Sequence, residues 1–289
     1  QKKSDDEDGE DDVNDKGRRE EESRVSMLLD RATRANEKAG PFEALFVVGS
    51  VSESEEEAFL KRSKKGESQL HQRAGAGVMK TYVLDPRVAR RLEERAEVSL
   101  VDAKEFEGGG EGNFEGNDDD AVGNIEGLNP KGGVKRIVVD GEEETSNVFV
   151  VTKPGVYSTL IASKDEEGNT KPFSIAILPG SYDHLNMKES HASAANALLA
   201  EKTAKANGEF TVQDVEVIRQ TVRKLKECGS TLFVVDALLT QAWPKHVQML
   251  SRYKDAMTPI SGEDETASRD VAEIASAICP RYHVVASPI

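Results

Sequence analysis

The chain of 289 residues has only two cysteines, Cys228 and Cys279. Two thiols are too few for the disulfide framework of a small secreted domain. Each cysteine follows a helical pattern, at a position where a small buried hydrophobic side chain fits. We therefore expect two reduced thiols in the core of a nuclear or cytosolic protein.

Long apolar runs are also missing. No stretch approaches the roughly 20 apolar residues that a transmembrane helix needs, and no basic-then-apolar signal peptide opens the sequence. We expect no contact with a membrane. The chain starts at Gln1 rather than at methionine, and we interpret it as a piece of a longer protein.

Several common catalytic and cofactor motifs do not occur. There is no Gly-rich loop before Lys-Ser/Thr, no Gly-x-Ser-x-Gly and no Cys-His spacing typical of a metal site. The glycines of residues 108–116 have acidic residues between them, and these would repel a phosphate. We expect no bound cofactor.

Negative charge is plentiful but unevenly distributed. The net charge is −15, and most of it falls in residues 1–24 and 101–147. Residues 1–24 have almost nothing to bury, which predicts a disordered acidic tail. The rest, 25–289, is predicted to be one domain with insertions near 52–78, 101–133 and 190–208. Because the folded part is nearly neutral, a local basic patch for an anionic ligand is not excluded.

The pattern of apolar residues predicts an α/β fold. Helices are expected from residue 25 to 39, 87 to 96, 211 to 228 and 271 to 278, with Thr211 capping the third, and a surface helix is expected from 191 to 208. Short apolar runs such as 44–49, 80–85, 173–180, 231–239 and 281–287 predict strands. Strand–helix alternation at both ends of a strand-rich middle favours two sheets packed together between helices.

Three stretches of the sequence together resemble the amino-terminal domain of the CwfJ family, the Cwf-nineteen-like proteins. They are "LLDRATRANEKAGPFEALFVVGS" (28–50), "LLTQAWPKHV" (238–247) and "CPRYHVVA" (279–286). The resemblance implies a calcineurin-like metallophosphatase-type β-sandwich flanked by helices. It also implies association with spliceosomes and with the lariat debranching enzyme. The family's first strand, which ends in Gly-Asp, is expected upstream of Ser26, where this chain has the acidic tract.

The resemblance predicts metal ligands at strand ends that this sequence does not supply. Ser50 stands where a metal-bridging aspartate is expected, and Pro86 and Arg87 follow Asp85 where an Asn-His pair is expected. Gln241 and Ala242 replace a further histidine, and only His283 is retained. Two-metal phosphoesterases need ligands at several strand ends, so we expect a non-catalytic protein that binds no metal.

Aromatic and cationic side chains near two strand ends form the candidate binding site. They are Trp243, Lys245, His246, Arg281, Tyr282 and His283. If both strand ends face one rim, these side chains converge and suit stacked bases, phosphates or a protein hot spot. The alternative is that Trp243 anchors its loop, that Lys245 and His246 are solvated, and that His283 is a satisfied core or edge histidine. His184 and His191 have no partner that the sequence identifies.

Three functions stay open at this point. The first is a non-catalytic binding module in pre-mRNA splicing, intron-lariat turnover and debranching. Its partners would be the debranching enzyme, spliceosomal proteins or branched intron RNA, and its location nuclear. The second is a residual phosphoesterase with metal ligands upstream of Gln1. The third is a protein–protein scaffold without RNA contact.

Overall fold

The structure is a computed structural model. It describes residues 24–64, 79–106, 125, 127–140, 146–158, 160, 162–164, 170–192, 194–228, 234–245 and 267–286. The helices are α1 (Arg24–Ala39), α2 (Glu53–Lys64), α3 (Pro86–Glu93), α4 (His184–Ala192), α5 (Ala194–Asn207), α6 (Val212–Glu227) and α7 (Arg269–Ile278). The strands of the first half are β1 (Ala44–Val47), β2 (Lys80–Val83), β3 (Val98–Asp102), β4 (Val134–Val139), β5 (Val148–Val151) and β6 (Gly155–Tyr157). Those of the second half are β7 (Ala162–Lys164), β8 (Thr170–Pro172), β9 (Ile175–Leu178), β10 (Ala237–Thr240), β11 (Trp243–Pro244), β12 (Ala267–Ser268) and β13 (Tyr282–Val285).

Two larger sheets organise the described residues. Sheet A has the strand order β1-β2-β5-β4-β3, in which β1, β2 and β5 are parallel and β4 is antiparallel to both its neighbours. Sheet B has the order β13-β10-β9-β6, in which β13, β10 and β9 are parallel. The pairs β11-β12 and β7-β8 form small separate ladders. The predicted α/β class is confirmed.

The sheets share one hydrophobic core and carry helices on their other faces. Tyr82 and Phe149 of sheet A belong to the same buried cluster as Ile175, Ile177 and Leu239 of sheet B. A second cluster joins the outer face of sheet A to α1, α2 and α3, and a third joins the outer face of sheet B to α6 and α7. Side chains that alternate along each strand thus enter two different cores, which explains the uninterrupted apolar runs of β5 and β9.

Helix starts follow the expected capping chemistry. The predicted cap at Thr211 is present, and it forms a reciprocal capping box with Asp214 at the start of α6. Asp85 caps α3, and Pro86 occupies the first turn, where its missing N–H leaves no donor unsatisfied. Both helices therefore begin where short-range chemistry places them.

Segments predicted as insertions take part in the core where the structure describes them. In the 52–78 segment, α2 buries Phe59 and Leu60, and at the two ends of the 101–133 segment Phe106 and Ile125 are buried. In the 190–208 segment, α5 buries Ala200. Residues 65–78, 107–124 and 126 lie outside the described residues, as does the predicted acidic tail up to residue 23.

Two sequence predictions are wrong in detail. Both cysteines are exposed rather than buried, because each caps the end of its helix, Cys228 on α6 and Cys279 on α7, and so lies beyond the apolar stripe. Of the strand predicted at 231–239, residues 234–236 are not in a strand and β10 begins at Ala237, while residues 231–233 lie outside the described residues. Asp236 lies before β10 and accepts a hydrogen bond from the Ser174 backbone N–H at 3.0 Å.

Among the described residues, no helix has the length and apolar character needed to cross a membrane.

Candidate binding site at the carboxyl ends of the strands

The carboxyl ends of the parallel strands in both sheets meet at one edge of the molecule. The Gln241 side-chain amide, just after β10, donates to the carbonyl of Leu84, just after β2, at 2.9 Å. The Gly180 N–H, after β9, donates to the same carbonyl at 3.3 Å. A Cβ placed on Gly49, after β1, would lie 3.6 Å from the Cβ of Ala286, after β13. This edge, where α/β proteins commonly bind ligands, is here called the strand-end rim.

Asp85 is the buried carboxylate of the rim, and both of its oxygens are fully hydrogen-bonded. Oδ1 accepts from the backbone N–H and the Nε of Arg87, at 3.1 and 2.9 Å. Oδ2 accepts from Nη2 of Arg87 at 2.8 Å and from the Val51 N–H at 2.9 Å. An ionised carboxylate offers about four acceptor positions, so these four bonds use all of them. The carboxylate has no acceptor position left for a metal ion.

Arg87 supplies the positive charge that the buried carboxylate needs. The hydrogen bonds from Arg87 to Asp85 raise the pKa of Arg87, against the effect of its partial burial, and the charges of Asp85 and Glu209 raise it further. The loop after α5 packs on this side chain. A Cβ on Gly208 would come within 2.2 Å of Cγ of Arg87. A guanidinium therefore occupies the position beside Asp85.

The other residues at the expected ligand positions have backbone partners or no metal-binding group. Gln241 donates to a backbone carbonyl, and Ala242 has no side-chain ligand atom. In the part of the chain that the structure describes, no group of three or more His, Cys, Asp or Glu side chains is arranged to hold a metal ion.

His283 is partly buried beside Thr240, and this neighbour determines its tautomer. The Thr240 hydroxyl donates to the carbonyl of Ala242 at 2.9 Å and lies 3.0 Å from Nε2 of His283. Because the hydroxyl has a single proton, it accepts from Nε2–H, which leaves Nδ1 as the acceptor nitrogen of the ring. Burial lowers the pKa of His283 to about 4, so the ring is neutral at pH 7. The geometry matches the alternative in which His283 is a satisfied edge histidine.

Trp243 is half-buried and lies in the small ladder that precedes α7. It pairs with Ala267, and the Lys245 N–H donates to the carbonyl of Ser268 at 3.0 Å. Ser268 in turn caps α7. The indole N–H is buried, and it has no hydrogen-bond partner among the described residues. This is the arrangement expected of a loop anchor, and a binding role for Trp243 or Lys245 stays a prediction. His246 lies outside the described residues.

Arg281 and Tyr282 are placed at the opposite end of the sheet. Strands β10 and β13 are neighbours, as the sequence predicts, but Tyr282 aligns with Ala237 at the start of β10. Since each strand residue advances about 3.3 Å, Tyr282 lies roughly 10 Å before the end of β10. Arg281 pairs with Asp236, Nη1 to Oδ1, at 3.0 Å. The predicted convergence of these two side chains with Trp243 is therefore not formed.

The ion pair between Asp85 and Arg87 was not predicted from the sequence, and neither were the contacts of His184 and His191. The signal for the pair was present, because an Asp-Pro-x start places the third residue within reach of the capping carboxylate. His191 lies 3.2 Å from Asp270, and His184 lies 3.4 Å from the Tyr182 hydroxyl. The contact of His191 joins two helices that are 79 residues apart in sequence and that no local pattern brings together, whereas the contact of His184 is local.

A comparison with curated proteins shows a relative that aligns with most of this chain. The chain is similar to the CWF19-like protein 1 homolog of Drosophila melanogaster, with 26% identity over 268 residues. The alignment covers 91% of this chain and 33% of the relative, so the chain spans about a third of the length of the curated relative it matches. No family model matches the chain. The similarity supports the CWF19-like resemblance that the sequence motifs predict.

Proposed function

We propose that the chain is a non-catalytic, metallophosphatase-like binding module of a nuclear, splicing-related protein. The CWF19-like similarity supports the link to splicing. The shared core of the two sheets and the helices outside them support a calcineurin-like sandwich. Spliceosomal proteins and the lariat debranching enzyme are the proposed partners, in intron-lariat turnover.

The observation that carries the non-catalytic part of the proposal is the saturated carboxylate of Asp85. Two-metal hydrolysis needs carboxylate and imidazole ligands that hold both cations at the reacting oxygens. Here Arg87 and the Val51 N–H take every acceptor position of the carboxylate. His283 donates to Thr240 through Nε2–H, and among the described residues it belongs to no group of three or more His, Cys, Asp or Glu side chains that could hold a metal ion.

A phosphodiesterase assay tests this directly. The purified chain is incubated with a generic aryl phosphodiester and manganese, zinc or iron(II), and we expect no turnover above the metal alone. Metal-dependent hydrolysis that disappears in a His283→Ala variant would contradict the proposal and favour a residual phosphoesterase.

The charge of the strand-end rim favours a protein over RNA as the principal partner. Phosphate contacts require cations whose charge is available to the ligand, whereas Arg87 is only 27% exposed and is paired with the buried Asp85. Branched intron RNA stays the second candidate, because a base stacked on Trp243 would contribute roughly 1–3 kcal/mol.

Trp243→Ala separates a role at the rim from a role as an anchor. A binding role predicts normal melting with at least tenfold weaker binding to lariat RNA or to the debranching enzyme. An anchor role predicts a lower melting temperature, with binding lost only as the fold is lost. Unchanged affinity in a well-folded variant would exclude Trp243 from the interface.

A further inference from the structure

Helices α4 and α5, residues 184–207, form a hairpin that leaves the rest of the domain and returns to it at one place. The Ser181 N–H donates to the carbonyl of Gly208, and the Phe210 N–H donates to the carbonyl of Ser181, each at 3.1 Å. Ser181 and Glu209 thereby form a parallel bridge. These bonds close a neck below the two helices, so the α4–α5 hairpin is a self-contained insertion in the chain.

Two glycines make this neck possible. Gly180 and Gly208 have φ values of 103 and 68°, in the region that glycine adopts readily. A Cβ on Gly180 would lie 2.9 Å from the carbonyl oxygen of Gly208. The neck also touches the strand-end rim, because the Gly180 N–H donates to the carbonyl of Leu84 and Gly208 packs on Arg87. The hairpin therefore begins and ends beside the rim.

The two helices of the hairpin pack mainly on each other. Among the helices and strands that the structure describes, α5 makes its principal contacts with α4. Of the hairpin side chains whose burial is described, the buried ones are Met187, Ala200 and Ala204, whereas α6 buries a stripe of valine, isoleucine and leucine. An alanine gains little free energy from burial, since the gain grows with apolar area. Elements with few buried apolar contacts open at the lowest free energy, so we expect the hairpin to open before α6 does.

Polar contacts join both ends of the hairpin to neighbouring helices. Close to the neck, the Arg90 guanidinium of α3 donates to the carbonyl of Ala206. At the other end of α4, His191 lies 3.2 Å from Asp270 at the start of α7. This second contact lies roughly 10 Å along the helix from its start. The His191 side chain is 54% exposed, so the contact can break while the core stays covered and the neck stays closed.

We propose that the α4–α5 hairpin is a hinged lid at the edge of the strand-end rim. It opens as a unit about its closed neck, and the contact between His191 and Asp270 is the latch that holds it shut. Opening separates α4 from the start of α7, while the sheets and α6 keep their structure. The lid goes beyond the proposed function, because it holds whether or not a partner binds the rim.

Hydrogen exchange followed by mass spectrometry tests the lid on the whole chain. Amides of α4 and α5 should be at least tenfold less protected than the interior amides of α6. Their exchange should also depend less on urea, because a local opening exposes less surface than global unfolding does.

Variants at two histidines of α4 test the latch. His191→Ala should speed the exchange of α4 and α5 at least fivefold and leave the exchange of α6 and the urea midpoint unchanged. His191→Gln keeps an N–H donor and should restore part of the protection. His184→Ala is the matched control, because His184 is also exposed but contacts the nearby Tyr182, at 3.4 Å. It should exchange as the parent chain does.

The opposite results would overturn the proposal. If α4 and α5 exchange only together with α6, and with the same dependence on urea, the hairpin does not open separately. If His191→Ala has no larger effect than His184→Ala, or speeds α6 as much as α5, the contact with Asp270 is not a latch.

Discussion

At the scale of single residues, the strand-end rim contains an ion pair between the buried Asp85 and the partly buried Arg87. Asp85 is buried, and its charge is compensated by one guanidinium and two backbone N–H groups. A buried carboxylate without such partners would be costly, because the protein interior solvates charge poorly. The pair therefore stabilises the rim only as long as both members are present.

Replacing Arg87 should lower the free energy of unfolding, because Asp85 then loses the positive charge beside it. Arg87→Ala removes two of the four donors to Asp85, Nε and Nη2, and leaves the Val51 N–H and the backbone N–H of residue 87. Breaking a fully buried pair costs about 3–5 kcal/mol. Because the Arg87 side chain is 27% exposed, we expect a smaller loss, roughly 2–3 kcal/mol, in urea unfolding.

The exposed Arg223→Ala on α6 is the matched control for Arg87→Ala, since Arg223 also pairs with an acidic residue, Glu227. It should leave stability unchanged within error. A further variant, Asp85→Asn in the Arg87→Ala background, should recover part of the loss because the unpaired charge is removed. Equal unfolding of the Arg87→Ala and Arg223→Ala variants would contradict the structural role of the pair.

The low pKa of His283 leads to a second prediction, which concerns how the free energy of unfolding changes with pH. In the folded protein the pKa of His283 is about 4, below the ordinary value of 6.5. As the pH falls, His283 is therefore protonated in the unfolded chain before it is protonated in the folded protein. Stability should therefore decrease from about pH 6.5 to 4 and level off below that. After a discount for the partial exposure of the ring, we expect a loss of about 2 kcal/mol.

The measurement compares the parent chain with His283→Asn, which cannot titrate. Unfolding free energies of the two proteins should diverge between pH 4 and 6.5 in the sense that the variant loses less. Titration of the ring by NMR provides an independent check. A His283 midpoint above pH 6 would show that the ring is solvated in the folded protein.

At the scale of elements, α6 depends on its capping box. The Thr211 side chain accepts from the Asp214 N–H, and Asp214 accepts from the Thr211 N–H at 2.8 Å. Thr211→Ala removes one of these bonds and should cost about 1 kcal/mol in thermal or urea unfolding. Thr203→Ala, at an exposed threonine inside α5, should change stability much less. If Thr211→Ala leaves the free energy of unfolding unchanged, the packing of α6 alone determines where the helix begins.

The elements were largely predictable where short-range chemistry decides them. The start of α6 at Thr211 and the strands around Phe46, Tyr82 and Ile177 follow from capping and apolar runs. The start of β10 was not predictable, because Asp236 is held outside the strand by Ser174 and Arg281, which are distant in sequence. The exposure of Leu198 and Leu199 on α5 was not predictable either, since a leucine in a helical pattern is ordinarily expected to be buried.

At the scale of the whole molecule, the two larger sheets bring some distant residues together and separate others. Leu84 and Gln241 are far apart in sequence and hydrogen-bonded in the structure. The candidate residue Trp243 follows the end of β10, whereas Tyr282 lies at the start of β13 and aligns with the start of β10. The sequence identifies the strands, but the direction and register of their pairing decide which side chains share a rim.

This separation predicts that Trp243 and Arg281 contribute independently to stability. Trp243→Ala removes a half-buried ring packed before α7 and should cost roughly 2 kcal/mol, below the range for fully buried aromatic residues. Arg281→Ala should cost less, because the Arg281 side chain is 63% exposed. Residues more than about 10 Å apart usually act additively. The double variant should therefore lose the sum of the two single losses within about 0.5 kcal/mol in urea unfolding, whereas a coupling above 1 kcal/mol would show that the two side chains share one site.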